Sequence, residues 1–270
     1  MPADDLVSVL SNVAVDARPA TREKIANSPE TRAFLEVGLM LLRDDLLDHR
    51  GPDLLADHDA GTRLFAGLSQ ARLVERAERE GLQDERPLVL TVGMFRDRWR
   101  YKSRYTEDLI AYLLRPARLE QVMQETRVIA HALARDKTFP ELIKAMSHAV
   151  LESTLDDPLW SLQTIMWVAL PKHPGVQSFL KVRYEKWIAH WASVYEEVTV
   201  HYGVRLRPGY TWWDIAELIN AVADGARLRA RAMGSMATLS SGDDVLVGAI
   251  QALVGGLLEP AESEPPAAVE

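Results

Sequence analysis

The chain lacks cysteine altogether, so its 270 residues offer no disulfide bond, no thiolate metal ligand and no cysteine nucleophile. It also lacks a long apolar run. The stretch from Val245 to Leu258 is interrupted by Gln251 and is shorter than the about 20 residues of a membrane-spanning helix. The first residues, MPADDLVSVL, carry acids where an export signal would carry lysine or arginine. We therefore expect a cytoplasmic protein without a membrane partner.

Sustained alternation of apolar and polar residues is missing as well, which argues against β-strands. Apolar residues instead recur at spacings of three and four along most of the chain, and this pattern predicts an all-α fold. The composition, 47% hydrophobic and 26% charged, is that of a globular protein. Helices are predicted over 28–48, 62–81, 92–102, 103–114, 117–135, 140–155, 157–170, 175–202, 211–233 and 243–258.

Composition and proline positions divide the chain into four parts. Residues 1–27 form an extension, 28–116 a compact amino-terminal domain, and 117–258 a larger helical domain. Pro116 is expected to act as the hinge between the two domains. The last part, 259–270, combines proline and glutamate with little apolar content and is expected to be disordered.

One segment, from Met94 to Tyr105, carries positive charge against a net charge of -8. Basic side chains interleaved with aromatic ones suit a polyanion such as DNA, with the cations on phosphates and the rings against the domain. A solvated, arginine-rich helix end is the alternative. The cations are Arg96, Arg98, Arg100, Lys102 and Arg104, and the interleaved aromatics are Phe95, Trp99 and Tyr101.

The same segment fits the second half of a helix-turn-helix, which consists of a support helix, a turn and a recognition helix. Leu73, Ala77 and Gly81 suit the support helix and its end. The run from Gly93 to Lys102 resembles the half-motif of the tetracycline-repressor (TetR) family: Gly, small, aliphatic, Tyr, two variable residues, Phe, two variable residues, Lys. Arg96 replaces the family's tyrosine, and the turn before Thr91 is longer than the family norm.

A second resemblance lies in TWWDIAELINAVADGARLRA, which is similar to the penultimate helix of that family. In the family, this helix and the last one build the four-helix bundle of a dimer. The apolar spacing is equally typical of a buried stripe. The matching positions are Asp214, Ala216, Leu218, Ile219, Ala221, Asp224, Gly225, Leu228 and Arg229.

The resemblance implies a homodimeric transcriptional regulator, most often a repressor, that binds a palindromic double-stranded DNA operator and responds to a small-molecule effector. It implies no enzymatic activity, no cofactor and no metal. Two recognition helices would enter successive major grooves about 34 Å apart. Arg96, Arg98 and Tyr101 would reach base edges or nearby phosphates; Thr91, Lys102 and Arg104 would contact phosphates; Gly93 and Trp99 would support the helix.

The larger domain of such a protein would hold the effector pocket and the dimer interface. Large apolar side chains at helical spacings are candidates for the pocket, although such residues more often belong to a core. The pocket candidates are Met123, Trp160, Met166, Trp167, Trp187 and Trp191. The candidates for the dimer interface are Ile215, Leu218, Val222, Leu228, Val247 and Leu253.

Two alternatives stay open. Asp44, Asp45 and Asp48 spell DDxxD, by which all-α prenyl-diphosphate enzymes hold magnesium, although Asp243 and Asp244 lack the third partner of a second acidic cluster. The alternative without metal binding is an acidic helix end that leads into a loop. The other alternative is a TetR-like dimer that has lost specific DNA binding and acts as a ligand-responsive partner.

Overall fold

The computed structural model describes residues 5–48, 64–81, 88–115, 117–155 and 157–261. The prediction of a helical protein is confirmed, since these ranges hold eleven α-helices and one small two-stranded sheet. None of the helices in these ranges is both long enough and apolar enough to cross a membrane. The helices are α1 (Pro19–Ala26), α2 (Pro29–Leu46), α3 (Gln70–Glu80), α4 (Val92–Trp99), α5 (Lys102–Leu113), α6 (Ala117–Asp136), α7 (Phe139–Leu155), α8 (Pro158–Ala169), α9 (Pro174–His201), α10 (Trp212–Met233) and α11 (Val245–Leu257).

The chain divides into two compact units that differ from the expected domains. The first unit comprises Met1–Ala117 and Pro158–Leu180, and the second comprises Arg118–Asp157 and Lys181–Glu270. Residues 158–180 were expected in the larger domain but belong to the first unit. The reason is burial, because Leu162 and Met166 of α8 are fully enclosed in the core of that unit. The expected hinge, Pro116, lies outside the described residues.

The amino-terminal segment is part of the first unit rather than an extension to it. Leu6, Leu10 and Val13 are fully buried in the core that α2 and α5 also build. The side chain of Asn27 ties the segment down, since its Oδ1 accepts a hydrogen bond of 2.7 Å from the backbone N–H of Leu6. These contacts involve side chains far apart along the chain, which helical spacing alone does not reveal.

Four aromatic rings form the centre of the first unit. Phe34 of α2, Phe95 and Trp99 of α4 and Tyr105 of α5 pack with ring centroids between 5.0 and 5.8 Å apart. Tyr105 donates a hydrogen bond of 2.7 Å to the carbonyl oxygen of Phe34, which joins α5 to α2. Gly38 permits this close approach, because a Cβ at that position would overlap the Tyr105 hydroxyl. The aromatic cluster therefore holds three helices together.

The second unit packs α7, α10 and α11 around an apolar core that includes Ile215, Ile219 and Ile250. A capping box at Thr211 starts α10: Thr211 Oγ1 accepts from the Asp214 backbone, and Asp214 accepts from the Thr211 backbone. Two strands, β1 (Val204–Leu206) and β2 (Leu258–Pro260), pair antiparallel. The tail expected to be disordered thus begins with a paired strand, and its residues 262–270 lie outside the described residues.

Candidate nucleic-acid interface

Two helices of the first unit, α3 and α4, contain the residues that were expected to form the support and recognition helices. Ser69 caps α3, because its Oγ accepts a hydrogen bond of 3.2 Å from the Arg72 backbone. This cap explains why α3 begins at Gln70 rather than at residue 62. Gly81 ends α3 in the left-handed conformation, with φ of 53°, which glycine adopts without strain.

Helix α4 is shorter than the helix predicted over 92–102. Thr91 caps it, with Oγ1 accepting from the Met94 backbone at 3.2 Å. The helix ends at Trp99 instead of Lys102, because Arg100 has a φ of 58° and interrupts the helical backbone. Lys102 begins α5. The cationic segment is therefore divided between the end of α4, a tight turn and the first turn of α5.

One face of α4 points to solvent. Gly93, Arg96 and Asp97 are exposed and follow each other at the spacing of one helix face, and Arg100 is exposed just beyond the end of the helix. The opposite face is fixed in the core through Phe95 and Trp99. A Cβ at Gly93 would meet only the Thr91 hydroxyl oxygen, at 3.7 Å. The described residues therefore leave open space next to Gly93.

The turn after α4 presents an aromatic ring between two cations. Tyr101 is 52% exposed. The guanidinium carbons of Arg100 and Arg104 lie 5.4 and 5.6 Å from its ring centroid, within the range of a cation–π contact. Lys102 is exposed and donates a hydrogen bond of 3.0 Å to the carbonyl oxygen of Ala66. Partial burial lowers the pKa of Lys102.

Arg98 does not belong to this outward group, contrary to its predicted role in reading bases. Its side chain is 10% exposed and its Nη2 lies 3.3 Å from Oε2 of Glu30. Its Nε donates to Thr31 Oγ1 at 2.9 Å, and Nη2 donates to Ser28 Oγ at 3.2 Å. Burial lowers the pKa of Arg98, and Glu30 opposes that effect. Arg98 therefore fastens α4 to the start of α2.

Trp99 is fully buried, in keeping with a supporting position beneath the recognition helix. Its Nε1 donates a hydrogen bond of 2.9 Å to Oδ2 of Asp108 on α5. Asp108 is itself fully buried and also accepts from the backbone N–H of Asn12 at 2.9 Å. Sequence reasoning missed Asp108, because no local pattern marks a carboxylate whose partners come from residues 12 and 99.

An apolar cavity lies in the second unit between α7, α9, α10 and α11. Trp187 and Trp191 line it, as expected for a pocket. The other four pocket candidates lie elsewhere. Met166 and Trp167 pack in the core of the first unit, Trp160 is buried on α8 of the same unit, and Met123 is not among the residues that line the cavity. The lining residues that the sequence did not predict lie mainly on α7 and α11. Their apolar spacing is the same as that of any buried helix face.

The residues proposed for a dimer interface separate into two groups. Ile215 and Val247 are buried inside the second unit and cannot contact another subunit, and Val222 and Leu253 pack partly against the same core. Leu218 and Leu228 are 40% and 49% exposed on the outer face of α10. The same face carries the exposed Ala221 and Gly225, and on α11 Ala252, Gly255 and Gly256 are exposed.

The aspartates of the DDxxD motif are engaged by arginines. Arg72 makes a two-pronged pair with Asp45 at 2.8 and 2.9 Å, and Arg76 lies 3.0 Å from Asp44. Asp48 lies 3.8 Å from Arg43. Across the described ranges no group of three or more metal-ligating side chains comes together. The motif thus serves to join α2 to α3.

Comparison with known proteins finds no matching family model, no similar curated protein and no similar solved structure.

Proposed function

We propose that this protein is a TetR-like, cytoplasmic, homodimeric transcriptional regulator that binds a palindromic operator and responds to a small molecule. The observation that carries the proposal is the two-sided build of α4. Phe95 and Trp99 anchor one side in an aromatic core, while Gly93 and Arg96 are exposed on the other and Arg100 is exposed in the turn that follows. A short, rigidly held helix with outward cations is what insertion into a major groove requires.

Electrostatics support binding to a polyanion in spite of the net charge of -8. The exposed cations of α4 and the following turn lie close together, whereas fields between distant surface charges are screened over about 10 Å at 0.1 M salt. Arg96 and Arg100 are suited to base edges or phosphates, and Lys102 and Arg104 to phosphates beside the groove. Gly93 leaves room for the DNA backbone to approach.

A second copy of the chain is the proposed occupant of the outer face of α10 and α11. Leu218, Ala221, Gly225 and Leu228 form a stripe at the spacing of a helix-packing seam. The small residues exposed on α11 would let helices of two subunits approach closely. A twofold dimer built this way would present two recognition helices to a symmetric operator.

The cavity of the second unit is the proposed effector site. A ligand regulates DNA binding only if its affinity differs between the DNA-binding form and the other form of the dimer. We therefore expect the effector and the operator to influence each other's affinity by the same factor.

The experiment is to select duplexes from a random pool with the purified protein and then titrate the recovered duplex by fluorescence anisotropy. Arg96→Ala and Arg100→Ala should each weaken binding about tenfold, and a lost phosphate contact should reduce the salt slope by about one. Arg135→Ala is the matched control, because Arg135 is an exposed arginine on α6. Unchanged affinity in both variants would exclude α4 as the reading helix.

Failure to recover any duplex would favour the ligand-responsive partner without specific DNA binding. One observation favours that candidate. The surface next to α4 includes the exposed acids Glu75, Glu78 and Glu80 on α3, which repel phosphates.

A further inference from the structure

The cavity of the second unit is apolar on most sides. Leu142, Ile143 and Met146 of α7 and Leu246 and Ile250 of α11 form two of its walls. Trp191 and Tyr195 of α9 add a pair of stacked rings with centroids 5.4 Å apart. The free volume is about 110 Å³. A cavity of that order holds a single aromatic ring, since an apolar cavity of about 150 Å³ binds benzene.

Polar groups are gathered along one edge of the cavity. Asn220 and Arg227 of α10 line it, and Asp224 lies between them on the same helix. Arg227 Nη1 lies 2.8 Å from Asp224 Oδ1, and Trp187 Nε1 donates to Asn220 Oδ1 at 2.9 Å. The polar side chains along this edge are therefore hydrogen-bonded, and they face a lining that is mostly apolar.

Tyr195 brings a hydroxyl to the same region. Arg227 and Tyr195 are close enough for each to influence the ionisation of the other, and burial raises the pKa of Tyr195 well above its usual value. In the part of the chain that the structure describes, the Tyr195 hydroxyl has no hydrogen-bond partner. A donor that faces a cavity without a protein acceptor is suited to an acceptor on a ligand.

The charged residue that lines the cavity, Arg227, is paired with Asp224. Burial raises the pKa of Asp224, and Arg227 and then Arg183 oppose that rise; Arg183 is not among the residues that line the cavity. A ligand with its own negative charge would therefore meet a lining cation that already has a counter-charge, and burying the ligand's charge in apolar surroundings is costly. A neutral oxygen can accept from Tyr195 at no such cost.

We infer that this cavity binds an uncharged, largely apolar molecule of aromatic-ring size that carries one hydrogen-bond-accepting oxygen, such as an aryl ketone or ester, with that oxygen directed at the Tyr195 hydroxyl. The identification of this molecule as the effector rests on the proposed function, whereas its binding does not.

Three probes of nearly equal shape test the inference by isothermal titration calorimetry on the full chain: acetophenone, ethylbenzene and benzoate. Acetophenone should bind about tenfold more tightly than ethylbenzene, because a hydrogen bond from a buried donor is gained. Benzoate should bind more weakly than acetophenone. Equal affinities for acetophenone and ethylbenzene, or tightest binding of benzoate, would overturn the assignment of the polar edge.

Two variants locate the site. Tyr195→Phe removes only the hydroxyl and should reduce acetophenone affinity severalfold while leaving ethylbenzene affinity unchanged. Ala223→Leu adds volume to the cavity wall and should abolish binding of both probes. If Ala223→Leu fails to fold, Tyr195→Phe still decides the question. Unchanged acetophenone affinity in Tyr195→Phe would contradict the inference.

The outcome is separable from that of the proposed function. Probe binding without any selected duplex would support the cavity assignment and refute the regulator. Duplex binding with no heat from acetophenone or ethylbenzene would refute the cavity assignment and leave the regulator standing.

Discussion

The indole Nε1 of Trp99 donates a hydrogen bond of 2.9 Å to Oδ2 of Asp108, and so ties the last residue of α4 to α5. Asp108 Oδ1 also accepts from the backbone and side-chain nitrogens of Asn12, at 2.9 and 3.1 Å. One buried carboxylate thus joins three separate segments of the first unit. Burial raises its pKa, and these hydrogen bonds oppose the rise.

Replacement of this carboxylate should therefore destabilise the first unit. Asp108→Ala leaves the Trp99 and Asn12 donors buried without an acceptor, and we expect the free energy of unfolding to fall by about 3 kcal/mol. Urea titration followed by tryptophan fluorescence measures the change. Glu23→Ala, at an exposed position on α1, is the control and should have little effect. Equal stability of the two variants would contradict this role.

Arg98 should behave as a structural residue and Arg96 as a surface one. Arg98→Ala removes the bonds to Glu30, Thr31 and Ser28 and should lower the free energy of unfolding by about 2 kcal/mol. Arg96→Ala should change it by less than about 0.5 kcal/mol. Thermal unfolding of both variants makes the comparison. Full stability of Arg98→Ala combined with weakened duplex binding would return Arg98 to the reading surface.

Gly38 should be intolerant of even a methyl group. Gly38→Ala would place a Cβ against the Tyr105 hydroxyl and the two terminal carbons of Leu109, each of the latter at 3.1 Å. The overlap should separate α2 from α5 at a cost of about 1 to 3 kcal/mol, despite the better helix propensity of alanine. Gly93→Ala, where a Cβ meets only the Thr91 hydroxyl oxygen at 3.7 Å, is the control and should stabilise α4 slightly in the absence of DNA. If both substitutions stabilise the protein in urea titration, the close approach is wrong.

His190 should make the second unit less stable in mild acid. Burial, and then the nearby Arg127, lower its pKa from 6.5 to about 4, while Glu197 opposes them. Between these two values the unfolded chain binds a proton that the folded chain does not, so stability present above pH 6.5 is lost as the pH falls towards 4. For a half-buried ring, we expect a loss on the order of 1 to 2 kcal/mol.

Melting temperatures across this pH range test the expectation. His190→Gln should flatten the acid side of the profile, whereas His201→Gln, an exposed position on the same helix, should not. Parallel profiles for the native chain and His190→Gln would refute it.

The outer face of α10 should decide the oligomeric state. A Cβ at Gly225 meets no described atom within 4 Å, so the backbone accommodates Gly225→Glu, which would bury a carboxylate in the proposed seam between subunits. We expect a folded monomer by light scattering, where the native chain is a dimer. Ala132→Glu, at an exposed position on α6, should remain dimeric. A native monomer, or a dimeric Gly225→Glu, would exclude this interface.

Local signals in the sequence predicted the helices and several of their ends. Thr91, Ser28 and Thr211 are capping residues whose roles follow from the few residues after them. The core position of Trp99 also followed from its place opposite the cations.

Other features depend on contacts that no local pattern contains. Arg98 looks like its neighbours in sequence, and only the arrival of Glu30 and Thr31 from α2 turns it inward. Met166 is an apolar residue on a helix that suits either core, and its burial in the first unit depends on the packing of α8 against α2. Charge and periodicity predict which residues share a helix face, but they do not predict which other helix packs against that face.

The first unit is built from two separate stretches of the chain. This limits where the chain can be truncated and the order in which it folds. Gln163 of α8 donates a buried hydrogen bond of 2.9 Å to the carbonyl oxygen of Leu113, across a sequence separation of 50 residues. A fragment that stopped at residue 117 would have lost α8 and would expose the apolar side of α2 that α8 covers. During synthesis on the ribosome, likewise, residues 1–117 cannot complete the fold of the first unit until residues 158–180 have been made.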